Sequence, residues 1–274
     1  MIYKHKDKIK KIFINHTLNF KRKFIINLRK FNKEITFITH DYYVIYNVPQ
    51  LNPQCVFKKI ILNRNNFTLN SFDKIITQNI GNLNVLQYFF NNSKNVVVSE
   101  LPDYRKSLNI YQTNNNKIII GIIGYINDIK GEKIVNELYN FIDTNKLNME
   151  IVVFGFINNQ KITSNMYKSI SHLNTLLIQY KPNILIETSI TMETYSYTLT
   201  LSMLTKLPIL SLYKIYKFVI NNRLSKYEKS YFFNNIDECV YLINKYKQDY
   251  FYTIEPIIYY NSFWDDYFMD NNIE

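Results

Sequence analysis

The chain has 274 residues, which fits one large or two small domains at roughly 150 residues each. Its hydrophobic share of 47% excludes a globally disordered polymer, and no run reaches the about 18 apolar residues of a membrane span. The net charge of +11 is local: residues 1–33 hold eleven Lys or Arg against one acid, Asp7, leaving 22 basic and 21 acidic residues for the remainder.

In chain order, Lys11–Asn15 reads as a first strand. Phe20, Phe24, Ile25, Leu28 and Phe31 then form a helical stripe, and Glu34–Thr39 a second strand. An irregular loop is expected over 41–55. Phe72–Thr77 and Asn95–Val98 read as two more strands around a helix at about 82–91, and 105–116 as a linker. This half is an α/β unit over 1–112.

From 117 the pattern is more regular. Lys117–Ile123 is a continuous apolar run, as in a strand covered on both faces. A helix follows, with Ile134, Val135, Leu138, Phe141 and Ile142 on one stripe. Met149–Phe154 is the next strand, ended by Gly155. Met166, Ile170, Leu173, Leu177 and Tyr180 mark a helix stopped by Pro182. Strand Asn183–Glu187, a helix after Glu193, strand 207–211 and helix Ile236–Lys247 complete a unit over 117–248. A tail at 249–274 with the single tryptophan, Trp264, is expected to pack back on the fold. Alternating strands and helices with short connections predict α/β architecture with parallel sheets. Ligands of such sheets bind at the carboxyl ends of the strands, here the loops after Ile123, Phe154, Glu187 and Ser211.

Three segments could carry chemistry. Three of only five glycines, Gly121, Gly124 and Gly131, fall in one stretch that ends a strand and opens a helix. Such clustering marks backbone that leaves no room for a side chain. A helix start attracts anions, and Lys130 adds an ammonium there; the bland alternative is an ordinary turn with an exposed lysine. The second segment is Glu193-Thr-Tyr-Ser-Tyr-Thr-Leu199, again between strand and helix. Its carboxylate could hold sugar hydroxyls or merely favour the helix start, and the amides of Tyr195, Ser196 and Tyr197 would face the rim of Lys130. The third is Thr39-His40-Asp41, a histidine at a strand end. His5, His16 and His172 show no partner spacing. Cys55 and Cys239 have neither disulfide nor metal spacing, so a reducing compartment is expected. The charged start Met1–His16 lacks the apolar stretch of a secretory leader.

Together these segments resemble family 4 glycosyltransferases, over about residues 11–245 and most strongly over 117–211. Gly121–Gly131 resembles that family's glycine–glycine–lysine–glycine loop, Glu193–Leu199 its donor motif, and Ile35–Tyr43 the strand end of its N-terminal domain. The resemblance implies a GT-B fold: two Rossmann-like units facing a cleft, here with the N-terminal unit shortened. It implies transfer from a nucleotide-diphosphate sugar with retention, with no metal and no further cofactor. Lys130 and Gly124 would meet the diphosphate and the Tyr195–Tyr197 amides would touch phosphate. Glu193 would hold the donor sugar, and His40 would reach it from the opposite unit.

Three departures accompany the resemblance. The second glutamate of the family motif is Leu201 here, a frequent arginine is Tyr125, and the family's first strand with its glycine-rich acceptor loop finds no counterpart. Two function classes follow: a transferase acting on a glycan, lipid or protein acceptor, or an inactive scaffold or binding subunit; the incomplete N-terminal unit suits a partner chain. The basic segment 1–33 suits an anionic membrane surface. Without interleaved aromatic motifs it is not read as a nucleic-acid site. The expected location is cytoplasmic, with peripheral membrane contact and no secretion.

Overall fold

A computed structural model of the chain describes residues 8–15, 22–39, 41–42, 71–89, 96–99 and 117–246. The expected linker, the tail with Trp264, Cys55, His40 and most of the 41–55 loop lie outside the described residues. The chain divides into two compact units, with Met192–Tyr195 grouping with the N-terminal one.

The N-terminal unit contains β1 (Lys11–Ile14), α1 (Arg22–Leu28) with a 3-10 turn at Arg29–Phe31, β2 (Glu34–Ile38), β3 (Lys74–Thr77), α2 (Ile80–Phe89) and β4 (Val96–Val98). Its four strands pair in parallel in the order β1-β2-β3-β4. Ile35, Phe37 and Ile38 are buried on β2, and Phe37 stacks on Phe72 at 4.8 Å. Asp73 ties the turn to the sheet: its carboxylate accepts from Arg29 Nη1 at 2.6 Å and from the Ile35 amide at 2.7 Å.

The second unit is a six-stranded parallel sheet of order β10-β9-β8-β5-β6-β7. Its elements are β5 (Ile118–Ile126), α3 (Glu132–Thr144), β6 (Met149–Ile157), β7 (Thr163–Asn165), α4 (Ile170–Tyr180) and β8 (Ile184–Glu187). They continue with α5 (Tyr197–Leu204), β9 (Ile209–Leu212), α6 (Phe218–Ser225), β10 (Ser230–Phe233) and α7 (Ile236–Tyr246). Alternation along β5 divides the core. Ile118, Ile120, Ile122 and Ile126 join a cluster with Val135, Leu138 and Ile142 of α3 and Cys239, Val240 and Ile243 of α7. Ile119 and Ile123 join another with Leu173 and Leu177 of α4, Leu199, Leu201 and Leu204 of α5, and Ile220 and Leu224 of α6. Helices on both faces make this a doubly wound sheet, which is why its central strands read as unbroken apolar runs. Burial pushes the Cys239 thiol up to about 12, as suits an inert core residue.

Several elements differ from expectation. β5 runs to Ile126, and β6 passes through Gly155 to Ile157, the two in register throughout. Gly155 does not end its strand because it faces Gly124: at φ +146, a Cβ there would lie 1.9 Å from the Gly124 carbonyl oxygen. Glycine permits the close approach and the ladder continues. α4 starts at Ile170, where the Ser169 hydroxyl caps the His172 amide at 3.1 Å; Met166 precedes the helix and is exposed. β7, α6 and β10 were not anticipated. β7 is a three-residue polar edge strand, and α6 has no side-chain N-cap.

Glycine is so scarce that left-handed helix ends fall on other residues, among them Lys181 (φ 50) closing α4 and Lys206 (φ 57) just past α5. Gly131, at φ +80, is different: a Cβ there would meet the Thr188 carbonyl oxygen at 2.0 Å. Lys181→Gly should therefore raise stability by about 0.5–1 kcal/mol, whereas Gly131→Ala should lower it by about 2 kcal/mol or more. Urea unfolding of both variants against the unmodified chain checks the opposite signs.

Candidate functional site

The carboxyl ends of β5 and β8 are adjacent in the sheet, and the loops that leave them are locked together. After β5 the chain turns at Asn127, whose carbonyl accepts from the Lys130 amide at 2.9 Å and the Glu132 amide at 3.0 Å. The Asn127 side chain also accepts from the Lys130 amide, at 3.2 Å. Gly131 then delivers the chain into α3. From the β8 side, Thr188 Oγ1 donates to the Lys130 carbonyl at 2.6 Å, and the Ile190 amide donates to the Ile129 carbonyl at 3.2 Å. Only a glycine at 131 lets the Thr188 backbone come this close.

This lock frames a small open cleft. Gly124, Tyr125 and Lys130 line it from β5 and its turn, Glu187, Thr188 and Ser189 from the end of β8, and Thr198 and Ser202 from α5. Thr198 and Ser202 lie one turn apart on the helix; Ser202 Oγ donates to the Thr198 carbonyl at 2.9 Å, and Thr198 Oγ1 lies 3.2 Å from Ser196 Oγ. The α5 entry is fixed twice. Ser196, buried, caps the Leu199 amide at 3.4 Å. Arg223 of α6 donates to the Ser196 carbonyl at 2.8 Å and to Thr200 Oγ1 at 2.6 Å.

Behind the cleft lies a buried ion pair. Glu187 Oε2 accepts from Lys217 Nζ at 2.7 Å and from the Ser211 hydroxyl at 3.0 Å, while Oε1 accepts from the Ser189 amide at 2.9 Å. Lys217 also donates to Ser211 Oγ at 2.9 Å and the Leu212 carbonyl at 3.2 Å, and its side chain is 0% exposed. Sequence reading missed this pair, along with Thr198 and Ser202. A glutamate closing an otherwise apolar strand was the available signal; Lys217, thirty residues away, gave none.

Of the sequence candidates, Gly124 and Lys130 meet in the cleft. Ser196 spends its hydroxyl on capping, and Tyr197 is half-exposed at the first helical position. Glu193 and Tyr195 group with the N-terminal unit, where Tyr42 Oη donates to the Glu193 carbonyl at 3.3 Å and to Asn82 Oδ1 at 2.7 Å. Asn82 Nδ2 donates to the Thr194 carbonyl. Burial, with Glu193 adding a smaller effect, pushes the Tyr42 phenol well above its ordinary value. His40 lies outside the described residues. Tyr125 stacks on Phe156 with ring centroids 4.9 Å apart. Leu201, in place of the expected glutamate, is a buried member of the core cluster on its face of the sheet.

Among solved structures, the chain is similar to sucrose-phosphate synthase from Thermosynechococcus elongatus, with a TM-score of 0.64 at 14% identity over 89% of this chain and 65% of that one. It is similar to TarM, with a TM-score of 0.63 at 13% identity over 90% of this chain and 50% of that one. It is also similar to HepE from Anabaena in complex with UDP, with a TM-score of 0.63 at 13% identity over 89% and 70%. The fold is that of the GT-B glycosyltransferases. The chain spans 65% and 50% of the length of the first two of these GT-B proteins. No family model and no curated protein matches it. Among the described residues no helix is long and apolar enough to cross a membrane.

Because Leu201 packs within the core of this GT-B unit, Leu201→Glu should bury an unpaired carboxylate. We expect a loss of about 3 kcal/mol or more, read by urea unfolding, and no gain in nucleotide binding.

Proposed function

We propose that the chain binds a nucleotide-diphosphate sugar at the Lys130 cleft and transfers the sugar, with retention, to a glycan, lipid or protein acceptor. One observation carries this reading. Lys130, a glycine-bearing strand end, Thr198 and Ser202 line one cleft at the carboxyl ends of a doubly wound sheet. Ligands of such sheets bind there. The fold supports it, since HepE has been solved with UDP-glucose as well as with UDP.

In this reading no metal takes part. The developing charge on the leaving diphosphate is met by Lys130 and by amides at the start of α5, including those of Ser196 and Tyr197. The resemblance offers Glu193, the Tyr195 amide and His40 as further contacts for the donor sugar. The basic segment 1–33 holds the protein at an anionic membrane surface, and its location is cytoplasmic.

A second reading has its own support. With Leu201 committed to the core and Tyr125 to its stack on Phe156, two polar contacts of the family pattern are replaced by packing. A chain that binds the nucleotide sugar without turning it over, as a scaffold or partner subunit, is consistent with both.

Calorimetric titration with UDP and UDP-glucose tests the shared premise. Lys130→Ala should weaken UDP binding at least tenfold, equivalent to about 1.4 kcal/mol, with unchanged unfolding behaviour. No binding of any UDP-, GDP- or dTDP-sugar, or no effect of Lys130→Ala, contradicts the proposal. Release of UDP from bound UDP-glucose then separates the two readings.

A further inference from the structure

The cleft wall contains a carboxylate where an anion is to bind. Glu187 lines the same cleft as Lys130, and its side chain is 6% exposed. Left alone, a carboxylate in a poorly hydrated wall would repel a diphosphate and cancel much of the attraction from Lys130. It is not alone. Lys217 reaches Glu187 Oε2 at 2.7 Å from the loop between β9 and α6, with Ser211 and the Leu212 carbonyl completing its shell. The ammonium is wholly buried, so no ligand can touch it. Two packed apolar residues could hold these elements together about as well as a buried ion pair does. What Glu187 adds beyond packing is its bond to the Ser189 amide, and what Lys217 adds is the charge that offsets it.

We propose that Lys217 is a positioning and charge-balancing residue. It neutralises Glu187, so that Glu187 can hold the loop through the Ser189 amide while the cleft keeps the positive field of Lys130 for an anionic ligand. Glu187 Oε1 fixes the start of the loop that presses on Gly131, and Lys217 removes the electrostatic penalty of placing an acid there. Neither residue contacts the ligand. This inference rests on the donor-binding reading above.

The two single variants break the same bond but leave charges of opposite sign, and that separates electrostatics from architecture. UDP is titrated into the unmodified chain, Lys217→Met, Glu187→Gln and the double variant, with a thermal melt of each. Lys217→Met should weaken UDP binding at least tenfold. Glu187→Gln keeps an oxygen for the Ser189 amide and leaves the Lys217 charge unopposed, so it should bind UDP more tightly than the unmodified chain, although its melting temperature also falls. The double variant should recover most of the affinity lost in Lys217→Met. Should Lys217→Met not fold, Glu187→Gln and the double variant still decide: weakened UDP binding in both overturns the proposal. So does weakening by similar factors in the two single variants, or unchanged affinity in Lys217→Met, either of which marks the pair as architectural only. If the unmodified chain binds no UDP, the donor reading itself fails, and this inference with it.

Discussion

The geometry of the second unit turns on one close approach, the Thr188 carbonyl against the backbone of Gly131. The strands that carry these residues, β5 and β8, are neighbours in the sheet, and their loops emerge at the same end. With 2.0 Å between that carbonyl oxygen and the place a Cβ would occupy, any other residue at 131 forces the loops apart. With glycine they close, and Thr188 Oγ1 and the Ile190 amide bond to the turn that carries Lys130. The place of the turn that carries Lys130 follows from that closure.

The same logic sorts packing from chemistry in the rest of the unit. Leu199, Leu201 and Leu204 of α5 face the core, while Thr198 and Ser202 face the cleft. One short helix thus seals the sheet and furnishes polar groups to the site. Arg223 fixes where it begins. An expected glutamate at 201 would fall on the sealed side here, so its replacement by leucine agrees with how the helix is turned. At 125, an aromatic stack on Phe156 stands where a second cation is common in the family the sequence resembles.

The parallel sheets were legible because strands covered on both faces leave continuous apolar runs, as in Lys117–Ile123 and Met149–Phe154. The meeting of Gly124 with Lys130 was legible for another reason: in so glycine-poor a chain, the clustered Gly121, Gly124 and Gly131 stand where a side chain would be crowded. What escaped was of a different kind. β7 is too short and too polar for periodicity to register, and β10, at four residues, is too short. Gly155 read as a stop signal, though its partner across the ladder is another glycine. The Glu187–Lys217 pair joins residues whose proximity depends on the order of β8 and β9, which no local pattern reveals. Thr198 and Ser202 were hidden in a segment whose hydroxyls serve in capping and core positions as well as in the cleft.

In the proposed function, an anionic nucleotide settles where the β5 turn, the β8 loop and the start of α5 meet. Backbone amide chemical shifts of the deuterated protein during titration with UDP read this most directly. The account predicts saturable shifts concentrated at residues 124–131, 187–189 and 196–202, with the remainder of 117–246 little changed. Shifts centred elsewhere in that unit, or none at millimolar UDP, would contradict it.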